Sequence, residues 1–305
     1  MATLTKQMRK SKIQDTGPDK VTNVVIIVIL VFMSICAIYP LWYTLIASIS
    51  NPVYVNRGEI WLLPKDVTFV AYSELLENTT LWIGYRNTIF YTAANVFLEL
   101  CVLLPAAYAL SRPHFPGKKL LTIYLMIPMY FSGGTVPGYL LVKDLGLMDN
   151  IWVMIIPMGV VFYYLMIARN YFQSNVPESL FESARIDGAN TTQFFFRFVL
   201  PLSKPIVSTL TLYYAISKWN DYMTGVMFIQ DMKKQTLQVI IRQLTAEIDS
   251  SAVEMLNPDL VKEMMARQQL LKFSVVIVGA VPLMLLYPLV QKFLIGGMMV
   301  GAVKE

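Results

Sequence analysis

The chain has 305 residues, of which 56% are hydrophobic and only 15% are charged, and its mean hydropathy is +0.53. Soluble domains contain about 45–50% apolar and about 25% charged residues, so this composition excludes an ordinary soluble enzyme. Its two cysteines each lie within an apolar run, which excludes a disulfide-stapled secreted domain. A single histidine, His114, leaves little material for histidine-based catalysis or metal binding. We therefore expect an integral membrane protein.

The apolar stretches predict an all-α polytopic membrane protein with six transmembrane helices. A helix needs about 20 mostly apolar residues to cross a hydrocarbon core of about 30 Å. The first stretch continues without a charge to residue 56, and Pro40 and Pro52 suggest where it bends and leaves the bilayer. The fifth span is the weakest, because Lys218 and Asp221 interrupt it. The predicted spans are 21–48, 85–110, 120–142, 151–171, 204–229 and 270–295.

The positions of Lys and Arg predict that both termini are cytoplasmic, because positive residues are enriched in cytoplasmic loops. Basic residues cluster in the N-terminal segment 1–20, after the second span and after the fourth span. This pattern predicts one transmembrane domain, 21–305, with a cytoplasmic loop at 172–203 and exterior loops at 49–84 and 230–269. The net charge of +5 follows from this topology and does not indicate binding to nucleic acid.

The cytoplasmic loop begins with a predicted amphipathic helix. Pro177 suits a first helical position. Leu180, Phe181 and Ala184 fall on one face of that helix. Gly188 suits the left-handed residue that closes a helix, because glycine adopts this conformation without steric cost.

A second short helix is predicted after it, with Thr191 as its cap. This helix carries Phe194, Phe195, Phe196 and Phe198. Two short helices with apolar faces in the cytoplasm are costly unless something covers them, so a docking partner is one interpretation. The alternative is that the phenylalanines pack against the protein's own helices.

This loop resembles the EAA loop of ABC importer permeases. The family pattern is Glu-Ala-Ala, three residues, Gly, nine residues, Ile, one residue and Leu-Pro. The chain has Glu182-Ser183-Ala184, then Gly188, Phe198 and Leu200-Pro201 at the same spacing. Ser183 and Phe198 depart from the pattern, but neither removes the helix or the glycine turn.

The resemblance extends along nearly the whole chain, to carbohydrate-importer permeases of the maltose type. The long last exterior loop is similar to the branch associated with oligosaccharide and polysaccharide uptake. The similar motifs occur in the family's order: Arg86-Asn87-Thr88, Ala107–Arg112, Phe115–Lys118, Leu145-Gly146-Leu147, Ile186–Ala189, Pro201–Pro205, Trp219-Asn220-Asp221, Tyr287-Pro288 to Gln291-Lys292, and Gly301–Lys304.

The resemblance implies a type I ABC importer permease fold, multi-pass in a bacterial cell membrane. Such a chain is half of a pore and works as a heterodimer with a sister permease, surrounded by membrane lipid. Two ATPase subunits and an extracellular or lipid-anchored solute-binding protein complete the importer. ATP and Mg²⁺ belong to the ATPase subunits, and this sequence has no G-x-x-x-x-G-K-[ST] phosphate loop, so we expect neither enzyme activity nor a cofactor here.

In this family the EAA loop transmits the state of the ATPase to the membrane helices. The resemblance therefore implies a coupling role for Phe181, Glu182, Ser183, Ala184, Asp187, Gly188, Phe194, Leu200 and Pro201.

Polar residues within the second span are candidates for the substrate path. Glu99 lies near its middle, and an intramembrane acid is a functional hypothesis by default, although a structural pairing is the alternative. Asn87, Tyr91 and Asn95 share one face and could line a sugar path or hydrogen-bond between helices.

Aromatic residues in two later segments are further candidates. Tyr130 and Phe131 precede a glycine pair and could form a gate. The fifth span offers aromatic rings for the apolar faces of a sugar and polar groups for its hydroxyls, although interfacial aromatics are the alternative. These residues are Tyr213, Tyr214, Trp219, Asn220 and Asp221.

Two other functions remain open from the residues alone. A permease for amino acids or peptides would share the EAA loop. A secondary transporter coupled to protons through Glu99 and Asp221 is disfavoured, because no inverted repeat is detectable and the cytoplasmic loop has the character of a docking site.

Overall fold

The computed structural model describes residues 17–156, 159–250, 267–282 and 284–285, and within them the chain is almost entirely helical. Two helices are long and apolar enough to cross a membrane, or up to four if each of two bent helix pairs is one span. Most of the predicted segment 1–20, part of the loop 230–269 and the end of the sixth span lie outside the described residues.

The helices follow one another in this order: α1 Gly17–Ser48, α2 Pro52–Asn56, α3 Val70–Glu77, α4 Thr79–Ser111, α5 Lys118–Tyr130, α6 Thr135–Asp144, α7 Trp152–Ile155, α8 Phe162–Asn175, α9 Glu178–Ile186, α10 Thr191–Phe194, α11 Leu200–Leu202, α12 Lys204–Trp219, α13 Met223–Phe228, α14 Leu237–Ser250 and α15 at 267–282. A π-helical turn, Phe195–Val199, joins α10 to α11, and a 3₁₀ turn, Met232–Lys234, precedes α14.

Helix α4 is the central element, and α8, α12 and α14 pack along it. It starts at Asn78, whose side chain accepts hydrogen bonds from the backbone N–H groups of Thr80 and Leu81. The helix runs for 33 residues and buries side chains along its whole length. The residues of α8, α12 and α14 that contact α4 are therefore held at defined positions along the axis of α4.

Helix α1 behaves differently. Its apolar part, Lys20–Ser48, has no buried residue within its most hydrophobic window. Among the described residues, packing against this helix is confined to its end, where Ile46 and Ala47 join the small cluster that includes Val55 and Ile60. The rest of the apolar part of α1 is exposed all around the helix.

Three predicted spans are broken in the structure. The third divides into α5 and α6, which meet at 112° around Gly133 and Gly134. The fourth divides into α7 and α8. The fifth ends at Asn220 and resumes as α13, because the side chain of Asp221 accepts a hydrogen bond from the Thr224 N–H and starts a new turn.

The segment 230–269, which was predicted as an exterior loop, contains a helix, α14. Leu237 and Ile240 are fully buried, and Leu237 shares a cluster with Leu81 and Trp219. The spacing of Leu237, Ile240, Ile241 and Leu244 is typical of an amphipathic helix, so the signal was present in the sequence.

Candidate functional site

The predicted docking helix is present as α9. It begins one residue later than expected, because Pro177 is its N-cap and Glu178 its first residue. It ends in a Schellman motif: the N–H of Ala189 donates to the carbonyl of Ala184, and the N–H of Gly188 to that of Arg185. Gly188 has a φ of +85°, so the left-handed closure predicted for this glycine is confirmed.

One face of α9 packs against the chain and the rest is exposed. Ala184 is buried, and Leu180 and Phe181 pack on the same core cluster. Glu182, Ser183, Asp187 and Gly188 are exposed, as is Pro201, whereas Leu200 is half-buried. At the end of the helix, the side chain of Ile186 is 86% exposed, which is unusual for isoleucine.

Two of the four phenylalanines pack against the protein's own helices, and the other two are exposed and could contact a partner. Phe194 and Phe195 are buried in the core, and the Phe194 ring lies 5.2 Å from that of Phe181. Phe196 and Phe198 are 61% and 39% exposed. The cluster therefore anchors the segment, while four large apolar side chains of the segment stay exposed. These are Ile186, Phe196, Phe198 and Leu202, which we together call the docking surface.

The predicted cap of the second helix was wrong by one residue. Asn190, not Thr191, caps α10, and a capping box joins Asn190 and Gln193 through both side chains. An Asn three residues before a Gln is the signal that was missed. The capping box fixes the turn between α9 and the phenylalanine cluster.

Arg112, the C-cap of α4, connects the end of that helix to the segment 172–203, which we call the docking segment. Its guanidinium lies 3.1 Å from the Glu178 carboxylate, donates to the carbonyl of Val176, and stacks over the ring of Tyr108. Because Glu178 is the first residue of α9, this ion pair links the start of α9 to the end of α4.

A cavity of about 400 Å³ lies between α4, α7, α8, α12 and α13. It brings together four of the predicted substrate-path residues: Asn95, Glu99, Tyr214 and Asp221. Its other lining residues are Val153, Ile156, Val161, Tyr164, Ser217, Lys218 and Thr224.

Two buried polar groups at the cavity lack a hydrogen-bond partner among the described residues. They are Oε2 of Glu99 and the hydroxyl of Tyr214, on side chains of residues that are 7% and 4% exposed. The two side chains interact with each other, and neither atom has accessible surface, so neither is open to a ligand in this structure. Asn95 differs, because its amide donates to the carbonyl of Ile155.

The two oppositely charged side chains at the cavity, Lys218 and Asp221, form an ion pair with each other. The ammonium of Lys218 lies 2.8 Å from the Asp221 carboxylate, and both side chains are largely buried. The second oxygen of Asp221 accepts the Thr224 N–H. The carboxylate therefore stays paired within the chain.

Three tyrosines form the aromatic side of this region. The ring of Tyr164 stacks on that of Tyr213 at 5.6 Å and meets that of Tyr214 edge-on at 5.0 Å. Tyr164 and Tyr214 line the cavity, whereas Tyr213 supports Tyr164 from outside it.

The structure places the other predicted path residues elsewhere. Trp219 is buried and its indole N–H donates to the carbonyl of Gly279, so it packs between helices and lies outside the cavity. Asn220 is exposed and its amide bonds the carbonyl of Ile216 within α12. Tyr130 and Phe131 are highly exposed at the bend between α5 and α6.

Asn87 and Tyr91 belong to a polar cluster at the other end of α4. The amide of Asn87 donates to the carbonyls of Lys233 and Gln235, and the Tyr91 hydroxyl to that of Lys234. These bonds favour the alternative that this face of the span serves interhelical hydrogen bonding.

Asp149 closes the same cluster from the loop after α6. Its carboxylate accepts the N–H groups of Gln230 and Asp231 and bonds the Lys234 ammonium at 3.0 Å. The Asp231 N–H and the Lys234 ammonium lower the pKa of Asp149, and the Asp149 carboxylate raises the pKa of Lys234. We call Asn87, Tyr91, Asp149, Lys234 and Gln235 the outer clamp.

Sequence reasoning missed Lys218 and Tyr164 as cavity residues. Lys218 was noted only as an interruption of the fifth span, although the rule applied to Glu99 holds equally for an intramembrane lysine. Tyr164 gave no signal, because its position beside Tyr214 depends on how α8 packs against α12. Among the described residues, no group of three or more His, Cys, Asp or Glu side chains could hold a metal ion.

Comparison with known proteins identifies the family to which this architecture corresponds. The profile of the binding-protein-dependent transport system inner membrane component family matches residues 79–299. Protein LplC of Bacillus subtilis (strain 168) is 33% identical over 290 residues, which cover 95% of this chain and 97% of LplC. The polygalacturonan/rhamnogalacturonan transport system permease protein YtcP of the same organism is 34% identical over 276 residues, covering 90% and 95%.

Two further matches extend the comparison. The melibiose/raffinose/stachyose import permease protein MelC of Bacillus subtilis (strain 168) is 29% identical over 290 residues, covering 92% of this chain and 96% of MelC. A solved bacterial ABC transporter involved in the import of the acidic polysaccharide alginate matches with a TM-score of 0.80 and 32% identity, over 91% of this chain and 98% of that one. These matches confirm the family and the helical permease fold that the motifs indicate.

Proposed function

The chain belongs to the family of binding-protein-dependent transport system inner membrane components, and we propose that it is the membrane permease subunit of an ATP-driven importer of carbohydrate, in particular of an oligosaccharide. The observation that carries this proposal is similarity over nearly the full length to permeases named for carbohydrate transport. The same similarity disfavours the alternatives of an amino acid or peptide permease and a proton-coupled transporter.

The importer would assemble around this chain in a bacterial cell membrane. Six spans with both termini in the cytoplasm agree with the basic residues of the sequence, and the cytoplasmic loop 172–203 would then lie opposite the outer clamp. A sister permease and lipid would cover α1 and α5, neither of which is buried by this chain along most of its length. A binding protein would deliver the sugar to the exterior face.

The docking surface would bind one of the two ATPase subunits, which carry ATP and Mg²⁺. Its exposed apolar side chains need a cover, and α9 connects through Arg112 to α4, which lines the cavity. Of the coupling residues implied by the EAA resemblance, Phe181, Ala184, Phe194 and Leu200 pack against the chain's own core. The others, Glu182, Ser183, Asp187, Gly188 and Pro201, are exposed and open to the same partner. Alternating access would follow if ATPase closure and sugar binding bias the same movement of α4.

Co-purification of the tagged chain from its native membranes tests the proposal. We expect a second permease and an ATPase to accompany the wild-type chain, and Gly188→Arg to release the ATPase. Gly188 has a φ of +85°, so a side chain there strains the turn by about 1–2 kcal/mol although nothing lies within 4 Å of the added Cβ.

Gly117→Arg is the matched control. Gly117 also has a positive φ, +73°, and free space around it, but it precedes α5 instead of closing α9. Retention of the ATPase by Gly117→Arg and its loss from Gly188→Arg would support docking through α9. A chain that purifies alone and transports sugar in proteoliposomes without ATP would contradict the proposal.

A further inference from the structure

We propose that the loop 57–69, which follows α1 and α2, lies on the lipid bilayer and inserts Trp61, Leu62 and Leu63 into the boundary between headgroups and acyl chains. These consecutive side chains are 69%, 65% and 74% exposed. The sequence predicts 49–84 only as an exterior loop, so the inference goes beyond the proposed function by naming the surface that this loop contacts.

The loop is folded and presents these side chains outward. Its base is closed by backbone hydrogen bonds, in which the N–H of Thr68 donates to the carbonyl of Ile49 and the N–H of Asn51 to that of Lys65. Ile60 is 2% exposed and packs into the small cluster at the end of α1. The exposure of the three residues that follow Ile60 is therefore built into the folded loop.

A tryptophan of α1 fixes the height of the loop. The indole N–H of Trp42 donates to the carbonyl of Leu62 at 2.9 Å. Trp42 lies about 9 Å along the helix axis before the end of α1 at Ser48. The loop therefore folds back beside α1, which is a candidate membrane span, and its exposed side chains continue the apolar surface of that span.

A second tryptophan holds the next exterior segment in the same way. The indole N–H of Trp82, in the first turn of α4, donates to the carbonyl of Leu76 in α3 at 2.8 Å. Helix α4 is also a candidate span, and Trp82 and Leu76 are 52% and 54% exposed. Tryptophan is enriched where spans meet the headgroups, because its ring is apolar and its N–H is polar. Both bonds thus place exposed leucines at the level of the membrane interface.

A lipid surface fits the composition of this loop better than water does. Adjacent large apolar side chains that face water are costly. The charges beside them cancel, and the Glu59 carboxylate lies 3.2 Å from the Lys65 ammonium. These charged residues are Arg57, Glu59, Lys65 and Asp66. A neutral polar rim around an apolar centre suits the bilayer interface, where apolar side chains are buried by about 5–10 Å.

Such an anchor would set the depth of α1. The apolar part of this helix, Lys20–Ser48, has 29 residues and is about 43 Å long, whereas the hydrocarbon core is about 30 Å thick. The length of the helix therefore leaves its depth and tilt open, and interfacial side chains determine them. Because Trp42 joins the loop to this helix, insertion of the loop holds the end of α1 at the interface.

Depth-dependent fluorescence quenching tests the inference on the whole importer in lipid nanodiscs. Leu63→Cys is labelled with bimane in a chain whose two native cysteines are replaced by Cys36→Ala and Cys101→Ala. Quenching is measured with lipids that carry a nitroxide near the top of the acyl chain or near its end, and with iodide in the aqueous phase. Arg57→Cys, on the polar part of the same loop and also exposed, is the matched control.

We expect the nitroxide near the top of the acyl chain to quench the Leu63→Cys label several-fold more than iodide does. The order should be reversed for Arg57→Cys. Both results should be the same in zwitterionic lipid and in lipid with an anionic fraction, because the charges that flank the apolar residues cancel.

Two tryptophan variants test the part played by the hydrogen bond. Trp42→Phe removes the donor to Leu62 and should lower the lipid quenching of the Leu63→Cys label while iodide quenching rises. Trp82→Phe is its matched control, because it removes the donor to Leu76 and should leave both values unchanged.

Two results would overturn the inference. Stronger quenching of the Leu63→Cys label by iodide than by either lipid nitroxide would place the loop in water. Protection of the label from all the quenchers would place the loop against protein, such as the sister permease. Neither result bears on the proposed function, which co-purification of the ATPase tests on the same preparation.

Discussion

The two ends of α4 are held by contrasting means. At one end, Asn87 and Tyr91 donate to backbone carbonyls of the turn before α14, and Asp149 accepts the N–H groups of Gln230 and Asp231 that lead into that turn. At the other end, Arg112 holds the start of α9, but the segment beyond it exposes large apolar side chains. The outer clamp is thus complete within the chain, whereas the docking surface needs a partner to cover it.

From this difference we expect the end of α4 beside α9 to be the one that moves against another protein. Buried hydrogen bonds to backbone carbonyls hold the outer turn in one geometry, because any shift leaves several carbonyls without donors. Apolar contact at the docking surface would be non-directional and could form or break with a partner. Four substitutions test the contrast.

Ile186→Asp should have the largest effect, on assembly and not on folding. Burial of a fully exposed isoleucine contributes about 1.5–3 kcal/mol, and the new carboxylate would have to be desolvated in addition, so we expect ATPase affinity to fall by roughly a hundredfold. Thermal stability of the isolated chain should not change, and Ile186→Leu should bind normally. Co-purification and a melting curve together measure both; an unfolded Ile186→Asp chain would contradict the exposure of this residue.

Asn87→Ala should cause the largest loss of stability. It removes the donor to two carbonyls, those of Lys233 and Gln235, and we expect unfolding to become easier by about 2–3 kcal/mol. Asn95→Ala, which removes a single bond to Ile155, should cost about half as much. Denaturation in detergent compares the two; equal losses would argue against the clamp as a stabilising unit.

Arg112→Ala should loosen the docking segment by a smaller amount. It removes the ion pair with Glu178 and the bond to Val176, which we expect to be worth about 1–2 kcal/mol because Glu178 is partly exposed. Hydrogen exchange should rise in α9 and remain low in the outer clamp. Glu178→Gln removes only the charge and should raise exchange less; an equal rise in both regions would remove the distinction between them.

Acid should weaken the outer clamp but not the docking surface. The pKa of Asp149 is lowered in the folded chain, so its stabilising contribution is present above the unfolded pKa of about 3.9 and is lost as pH falls below it. The raised pKa of Lys234 acts at the other extreme, where its contribution is lost as pH rises through the folded pKa. Proteolysis of the turn at 228–237 should therefore accelerate below about pH 4.

Asp149→Asn is the control for that pH dependence. Asn tolerates the left-handed conformation of this position, φ +53°, so the variant removes the charge without straining the backbone. Its turn should be cleaved faster than the wild type at neutral pH, and the difference should disappear in acid. A difference that persists below about pH 4 would assign the effect to another group.

Much of the local structure in the segment 172–203 could be predicted from the sequence. The amphipathic spacing of α9, the left-handed Gly188 and the short helix behind it depend on neighbours within a few residues, and so they are present in the structure close to their predicted positions. The first two spans were likewise evident, because long apolar runs have one stable form in a bilayer. The lengths of the apolar runs could not locate the breaks in the later spans. At such a break a side chain accepts a backbone N–H in place of a helical carbonyl, as Asp221 does for Thr224.

The sequence by itself determined that this is a helical membrane protein, because its apolar composition is a property of the chain as written, and its motifs resemble those of ABC importer permeases. Only the tertiary structure decided which polar residues line a cavity and which form hydrogen bonds to other parts of the folded chain. Glu99 and Asn87 looked alike in the sequence, as polar residues of one span. Glu99 meets Tyr214 at the cavity, while Asn87 meets two carbonyls far along the chain, because the partners come from helices that only folding brings together.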